Sequence, residues 1–343
     1  MTEMAPDTAR LETWLAREIP EFCGPVSISK FQGGQSNPTY RLDTPQRAYV
    51  LRRKPPGKLL PSAHQVDREF QVMSALYAVR YPVPRPFILC TDDNVIGTMF
   101  YVMEHVEGRI FWDGRLPELD PPRRAHLYDC MNANLAALHM LDHRALGLTD
   151  YGKEGAYVAR QIARWSKQYR LSETQAIAAM ERLIDWLPQN IPAGDTTCIV
   201  HGDYRLDNMI VAPDREEILA VIDWELSTLG DPLADFAYHL MQWRMPQSHR
   251  GGLLGADFSA LGIPSEADYI GLYCERTKRN SLPNIDYYVA YNMFRLAAIL
   301  QGIAGRVRDG TATAENAKQQ AEMVVPLADA AWECARRAGA GGA

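Results

Sequence analysis

The chain has 343 residues, 47% hydrophobic and 23% charged, the composition of a folded globular protein long enough for one large or two modest cores. A formal charge of −6 argues against a nucleic-acid partner gripped by a basic surface. No apolar run reaches bilayer-spanning length and the first ten residues are polar, so no membrane partner and a cytoplasmic setting are expected.

Leu11, Trp14, Leu15 and Ile19 recur at helical spacing and predict a first helix over 7–19, ended by Pro20. A strand over 26–31 follows, then a glycine-bearing turn over 32–37 containing Gly33, Gly34 and Ser36, and a second strand over 39–42. Glycine lets a backbone approach a ligand closely, so such a hairpin can lay N–H groups over phosphates; paired glycines also serve ordinary hairpin turns. The third predicted strand, 48–54, carries two cations on one face, Arg52 and Lys54. Lys54 abuts Pro55 and Pro56, where a strand should break, which favours Arg52 as the inward cation; a solvated edge arginine is the competing reading.

Ser62 with Gln65 reads as a capping box, opening a helix whose apolar stripe is Val66, Phe70, Met73, Leu76 and Tyr77. Glu69 sits within that stripe, and a carboxylate there needs a partner, for which the basic residue of the third strand is the candidate. The prolines of 81–86 interrupt regular structure before a strand pair over 87–90 and 97–103, and 103–108, with Glu104, His105 and Val106, connects onward. From Pro121 the pattern turns helical, with Leu127, Met131, Leu135 and Leu138 as a buried stripe and further helices over 157–169 and 174–187. His139 reads as a structural histidine.

The densest chemistry lies in His201-Gly202-Asp203-Tyr204-Arg205-Leu206-Asp207-Asn208, a short loop between apolar runs over 198–200 and 209–211 that read as strands. A further strand over 218–222 delivers Asp223, followed by Trp224. A carboxylate and an amide five residues apart, with a second carboxylate brought by the next strand, are what phosphoryl transfer needs: a group to receive a hydroxyl proton and oxygen ligands for Mg²⁺. Each Asp or Asn alone is more often a turn residue. The spacing H-x-D-x-x-x-x-N with a downstream Asp is that of the kinase catalytic loop, which makes Asp203 the candidate catalytic residue and Asn208 and Asp223 the candidate metal ligands.

These residues, with Ile222-Asp223-Trp224-Glu225 and Gly230-Asp231-Pro232-(x)2-Asp235, resemble the aminoglycoside phosphotransferase and choline-kinase-like family over most of the chain. The segment over 50–64 is most similar to kinase domains associated with acyl-CoA dehydrogenases. The resemblance implies an α+β, protein-kinase-like fold of two lobes: a small β-rich nucleotide-binding lobe over 1–104 and a larger helical, catalytic and substrate-binding lobe over 105–343. It implies ATP and Mg²⁺ as cofactors, with the nucleotide held by Gly33, Gly34, Ser36, Arg52 and Glu69 and, through main chain, by Glu104 and Val106. Arg52 stands where kinases carry a lysine, a departure that keeps a regulatory pseudokinase among the alternatives. His201 is expected to stabilise the loop, Trp224 to pack in the core, and Asp231 and Asp235 to cap or brace.

Only 224–230 separates Asp223 from the next helix, which begins at Asp231-Pro232, so there is little platform for a protein substrate. A small hydroxylated acceptor is expected, a hydroxyacyl-CoA or hydroxy acid by the narrower resemblance, an aminoglycoside as the alternative. Downstream, 247–265 reads as a loop, helices are predicted over 269–277, 287–306 and 315–337, and 338–343 as a frayed tail. Arg276, Lys278 and Arg279 form a basic cluster, read as solvated surface unless it lines a cleft for an anionic acceptor. The six cysteines, Cys23, Cys90, Cys130, Cys198, Cys274 and Cys334, are scattered with no metal-binding spacing, so reduced thiols and no zinc site are expected.

Overall fold

The computed structural model describes residues 7–31, 37–55, 64–194, 196–246, 251–312 and 316–341. Its elements run α1 (Thr8–Glu18), β1 (Ser27–Lys30), β2 (Thr39–Asp43), β3 (Ala48–Arg53), α2 (Val66–Ala78), β4 (Pro86–Cys90), β5 (Phe100–Glu104), α3 (Pro121–Met140), α4 (Tyr157–Ser172) and α5 (Ala178–Trp186). They continue with β6 (Cys198–Val200), β7 (Met209–Val211), β8 (Ile218–Val221), β9 (Thr228–Gly230), α6 (Pro232–Leu240), α7 (Phe258–Leu261), α8 (Glu266–Thr277), α9 (Ile285–Arg308), α10 (Ala317–Glu322) and α11 (Val324–Arg337). Two compact units result: one of Met1–Ile110, Arg144–Tyr151 and Asn208–Ser227, the other of Phe111–His143, Gly152–Asp207 and Thr228–Ala343.

The first unit is built on a five-stranded antiparallel sheet in the order β1-β2-β3-β5-β4. Alternation along its strands decides which side chains meet which face. Tyr40 and Leu42 of β2, Tyr49 and Leu51 of β3, and Phe100 and Val102 of β5 join Leu11, Trp14 and Leu15 of α1 in one core. Burying each of these side chains is worth about 1.5–3 kcal/mol, so slipping one strand by a residue would forfeit several of them together. The residues of opposite parity, Thr39, Arg41, Val50, Arg52, Tyr101 and Met103, line a cavity on the other face.

Helix α2 packs on β4 and β5, starting after Gln65, whose side chain makes no capping bond; Ser62 lies outside the described residues. The Arg68 guanidinium of α2 lies 4.3 Å from the Tyr151 ring centroid and donates to the Tyr151 carbonyl, tying the 144–151 excursion to this unit. The β7–β8 hairpin joins it through Val221 N–H, which donates to Pro82 O at 2.8 Å, and through an antiparallel bridge between Arg109 and Val211. Trp224 is 1% exposed, its indole donating to Val221 O at 2.9 Å and its ring edge-on to Tyr81.

The second unit is helical. Helix α9 is buried without a break from Tyr287 to Ala298, as a helix surrounded by others must be, and packs against α4, α6 and α11. Half-buried Arg244 is held by the carboxylates of Glu266 and Asp286. The unit's only strands among the described residues are β6 and β9, paired antiparallel; a strand over 228–230 was not foreseen, because three residues carry no readable period. Three other expectations need correction. The 247–265 stretch contains the short helix α7, and α8 begins at Glu266. The final helix is broken at Met323 into α10 and α11. The tail is not simply frayed: Ala340 N–H donates to Ala335 O at 2.9 Å and the residue is buried. The six cysteines are all free thiols.

Candidate active site

In the first unit, the register Met209↔Val221 sets Asn208 opposite Ile222, and Ile222 N–H donates to Asn208 O at 2.9 Å. The next residue, Asp223, takes a left-handed backbone (φ 66°, ψ 58°), a conformation that aspartate tolerates better than most residues and that turns the chain abruptly out of β8. Asn208 and Asp223 both line the cavity faced by Val50, Arg52, Tyr101 and Met103. That cavity measures about 430 Å³. Glu104, His105, Val106, Glu107 and Gly108 form one edge of it, and Val50 with Ile210 and Ile222 supply branched aliphatic walls.

Arg52 is the hub. Its Nε lies 2.9 Å from Glu69, and its Nη2 lies 2.7 Å from Asp223 Oδ1 and 3.2 Å from Glu225. Glu69 is 1% exposed and also accepts from Asn37 at 2.8 Å and Tyr101 at 3.1 Å. Its burial, together with Asp223 and Glu225, pushes its pKa up to about 7 against the pull of Arg52. Lys54, the alternative cation, instead sits 3.5 Å from Asp67 and does not line the cavity. Gly33, Gly34 and Ser36 lie outside the described residues.

Sequence reasoning missed two features of this unit. A Cβ on Gly108 would run into the Val211 carbonyl, so the connector can lie against the β7–β8 hairpin only as glycine. Arg109 then locks it there, exchanging main-chain bonds with Val211 (2.7 and 2.9 Å) while its guanidinium donates to Ala212 O at 2.8 Å. The His105 ring stacks on Phe31, and its Nε2 faces Arg41 Nη1 at 3.1 Å; burial and Arg41 hold its pKa below the ordinary value.

In the second unit, the loop bearing Asp203 is braced by α6. Asp231 caps that helix by accepting from Leu233 N–H at 2.7 Å, and it also accepts from Tyr288 OH at 3.0 Å. Four residues on, buried Asp235 accepts the N–H groups of His201 (2.8 Å) and Gly202 (2.9 Å) and faces His139 at 3.2 Å. Burial alone would push Asp235 up; His139 and the His201 N–H hold it below the usual carboxylate range. The ring of His201 is fully buried and its Nδ1 accepts from Asp203 N–H at 3.2 Å, a loop-stabilising contact.

Asp203 Oδ1 accepts from Tyr238 OH at 2.5 Å and lies 3.2 Å from Arg205 Nε. Arg205 reaches Asp207 as well, at 3.0 Å. Beside them is a small pocket of about 50 Å³ with Trp112, Leu206, Met241 and Leu296 among its walls. Arg276 of the basic cluster is tied to Asp129 at 2.6 Å and to Asn132 at 2.9 Å, a structural bond between α8 and α3.

Among the described residues no three or more His, Cys, Asp or Glu are grouped to hold a metal, and no helix is long and apolar enough to cross a membrane. A protein provisionally named an aminoglycoside phosphotransferase, from Ralstonia eutropha JMP134, matches with a TM-score of 0.90 and 48% identity over 97% of this chain and 99% of that one. Choline kinase from Cryptosporidium parvum shares the fold at a TM-score of 0.68 and 11% identity, with 96% of each chain covered. The architecture is therefore kinase-like, a small antiparallel-sheet lobe and a helical lobe.

Mouse acyl-CoA dehydrogenase family member 10 is 45% identical over 318 residues, 92% of this chain and 30% of that protein. The rat family member 11 is 41% identical over 341 residues, 96% of this chain and 43% of that protein. The chain thus spans less than half the length of these curated relatives. A model of the phosphotransferase enzyme family matches residues 27–267, most of the chain, and the chain belongs to that family.

Proposed function

We propose that the chain is an ATP- and Mg²⁺-dependent kinase that phosphorylates a hydroxyl of a small acyl compound, a hydroxyacyl-CoA or hydroxy acid. The observation that carries the reading is the cavity of the first unit, where Arg52, Asn208 and Asp223 face one space bordered by the 104–108 backbone. Flat purine would lie between Val50 and the Ile210 and Ile222 side chains, with Glu104 and Val106 meeting it through main chain. Arg52 would hold phosphate oxygens, its guanidinium oriented by Glu69.

Mg²⁺ binds through one or two protein oxygens and completes its shell with phosphates and water, so a carboxylate and a carboxamide suffice. Asn208 and Asp223 provide that donor set, and Asp223 already stands against a cation, Arg52. When bound, the ion would offset charge on the phosphate oxygens. Asp203 would orient the acceptor hydroxyl and receive its proton, while Arg205 beside it balances the carboxylate.

The acyl acceptor is supported by the pocket beside Asp203. Its walls are largely apolar, and its one carboxylate, Asp207, is engaged by Arg205, leaving a poor site for a polycation. The acyl-CoA dehydrogenase relatives point the same way. Magnesium-dependent ADP release by the purified chain, assayed against hydroxyacyl-CoAs, free hydroxy acids and aminoglycosides, tests the reading. Turnover of acyl acceptors is expected; turnover of aminoglycosides alone transfers the assignment to antibiotic phosphorylation, and ATP binding without turnover of any acceptor makes the chain a regulatory pseudokinase. Asp203→Asn should cost about 10²–10⁴-fold in kcat, the usual worth of a positioned base, with ATP binding retained.

A further inference from the structure

We propose that Tyr238 is a positioning residue for Asp203, holding the carboxylate in the one orientation from which it can meet an acceptor hydroxyl. The inference rests on the assignment of Asp203 as the group that receives the acceptor proton.

Helix α6 puts Asp235 and Tyr238 three residues apart, hence on neighbouring positions of one face. The two grip successive parts of the same loop. Asp235 takes the N–H groups of His201 and Gly202, and Tyr238 donates its hydroxyl to Asp203 Oδ1 at 2.5 Å. From α9, Arg295 closes the arrangement: its Nη2 donates to Gly202 O at 2.8 Å and its guanidinium lies 5.1 Å from the Tyr238 ring centroid. The ring is thereby clamped as well as its hydroxyl.

A carboxylate turns readily about its last side-chain bond, and a base must present an oxygen at hydrogen-bond distance from the proton it takes. Oδ1 of Asp203 accepts the Tyr238 hydroxyl and lies 3.2 Å from Arg205 Nε, so rotation of the carboxylate would break that hydrogen bond and disturb the ion pair beside it. Burial and the adjacent Asp203 charge push the Tyr238 phenol well above its ordinary range, which keeps it a donor throughout the neutral pH region. Neither Tyr238 nor Arg295 belongs to a catalytic sequence pattern; their placement comes from packing α6 and α9 against the loop.

The test is Tyr238→Phe, which removes the hydroxyl and keeps the ring under Arg295. With ATP-Mg²⁺ and hydroxybutyryl-CoA as probe, kcat should fall about ten- to a hundredfold, the cost of a misplaced reacting group, while both KM values and the melting temperature stay near wild type. An unchanged kcat, or a rise in acceptor KM alone, overturns the proposal.

A second measurement does not depend on turnover. Proton NMR of the full chain should show a downfield hydroxyl resonance that disappears in both Tyr238→Phe and Asp203→Ala; its persistence in Asp203→Ala, or its absence from wild type, overturns the proposal. If wild type does not turn over the probe, the acceptor assignment fails, and this resonance decides the Tyr238 question by itself.

Discussion

Arg52 Nη2 lies 2.7 Å from Asp223 Oδ1, so the basic residue of β3 stands against the carboxylate that the kinase pattern reserves for a metal ion. The same guanidinium spans Glu69 and Glu225, a reach that a planar fork of donors has and a single ammonium lacks. Arg52→Ala should therefore raise the KM for ATP about tenfold or more, since a charge-assisted hydrogen bond is worth about 1.5–3 kcal/mol. Arg52→Lys should recover only part of it. ATP titration by calorimetry, with kcat followed separately, checks both; full affinity in the lysine variant would show that charge alone suffices there.

Gly108 carries a prediction that a sequence reader would not make. Because a Cβ there meets the Val211 carbonyl, and backbone cannot yield as a flexible side chain can, Gly108→Ala should push the connector away from the β7–β8 hairpin. The Arg109–Val211 bridge would open with it. A destabilisation of about 1–3 kcal/mol is expected, the usual cost of overpacking, with a rise in the KM for ATP because the same hairpin supplies Asn208 and Asp223. Thermal melts and nucleotide titration read the two effects.

These two positions mark where the sequence stops being legible. Arg52 could be chosen over Lys54 from local rules alone, because alternation along β3 and the break at Pro55 act within a few residues. The spacing of Asp203 and Asn208 was equally local. By contrast, Gly108 looks in a linear string like any turn glycine, since the carbonyl that excludes a side chain comes from residue 211. Tyr238 and Arg295 meet the Asp203 loop from 35 and 93 residues away, and nothing in their own neighbourhoods announces it. The basic run at 276–279 reads locally as surface charge, and the string does not announce that Arg276 pairs with Asp129 on α3.

His239 supplies a pH dependence. It is 3% exposed, accepts from Tyr269 OH at 2.9 Å, and burial pushes its pKa down to about 4. In the unfolded chain an ordinary histidine titrates near 6.5. Below that value the unfolded state binds a proton that the folded state refuses, so stability falls as pH drops from about 6.5 toward 4. His239→Gln has no such proton to take up; its melting temperature, though lower at neutral pH, should decline less across that interval. Parallel melting curves for the two proteins would count against the buried neutral imidazole.

Asp235 separates the loop's architecture from its chemistry. It touches no acceptor in the proposed reaction, yet it satisfies the two N–H groups that precede Asp203 and faces His139, all in a buried setting. Asp235→Asn keeps the shape and one carbonyl oxygen but leaves too few acceptors for three donors, stranding a buried polar group at about 1–3 kcal/mol. Because the unsupported groups belong to His201 and Gly202, the loss should fall on the orientation of the Asp203 loop as well as on stability. The expected signature is a lower melting temperature together with a reduced kcat and a KM for ATP near wild type, since the cavity proposed for the nucleotide is lined wholly by residues of the first unit. A variant that melts early but turns over at the wild-type rate below its transition would reduce Asp235 to a structural strut.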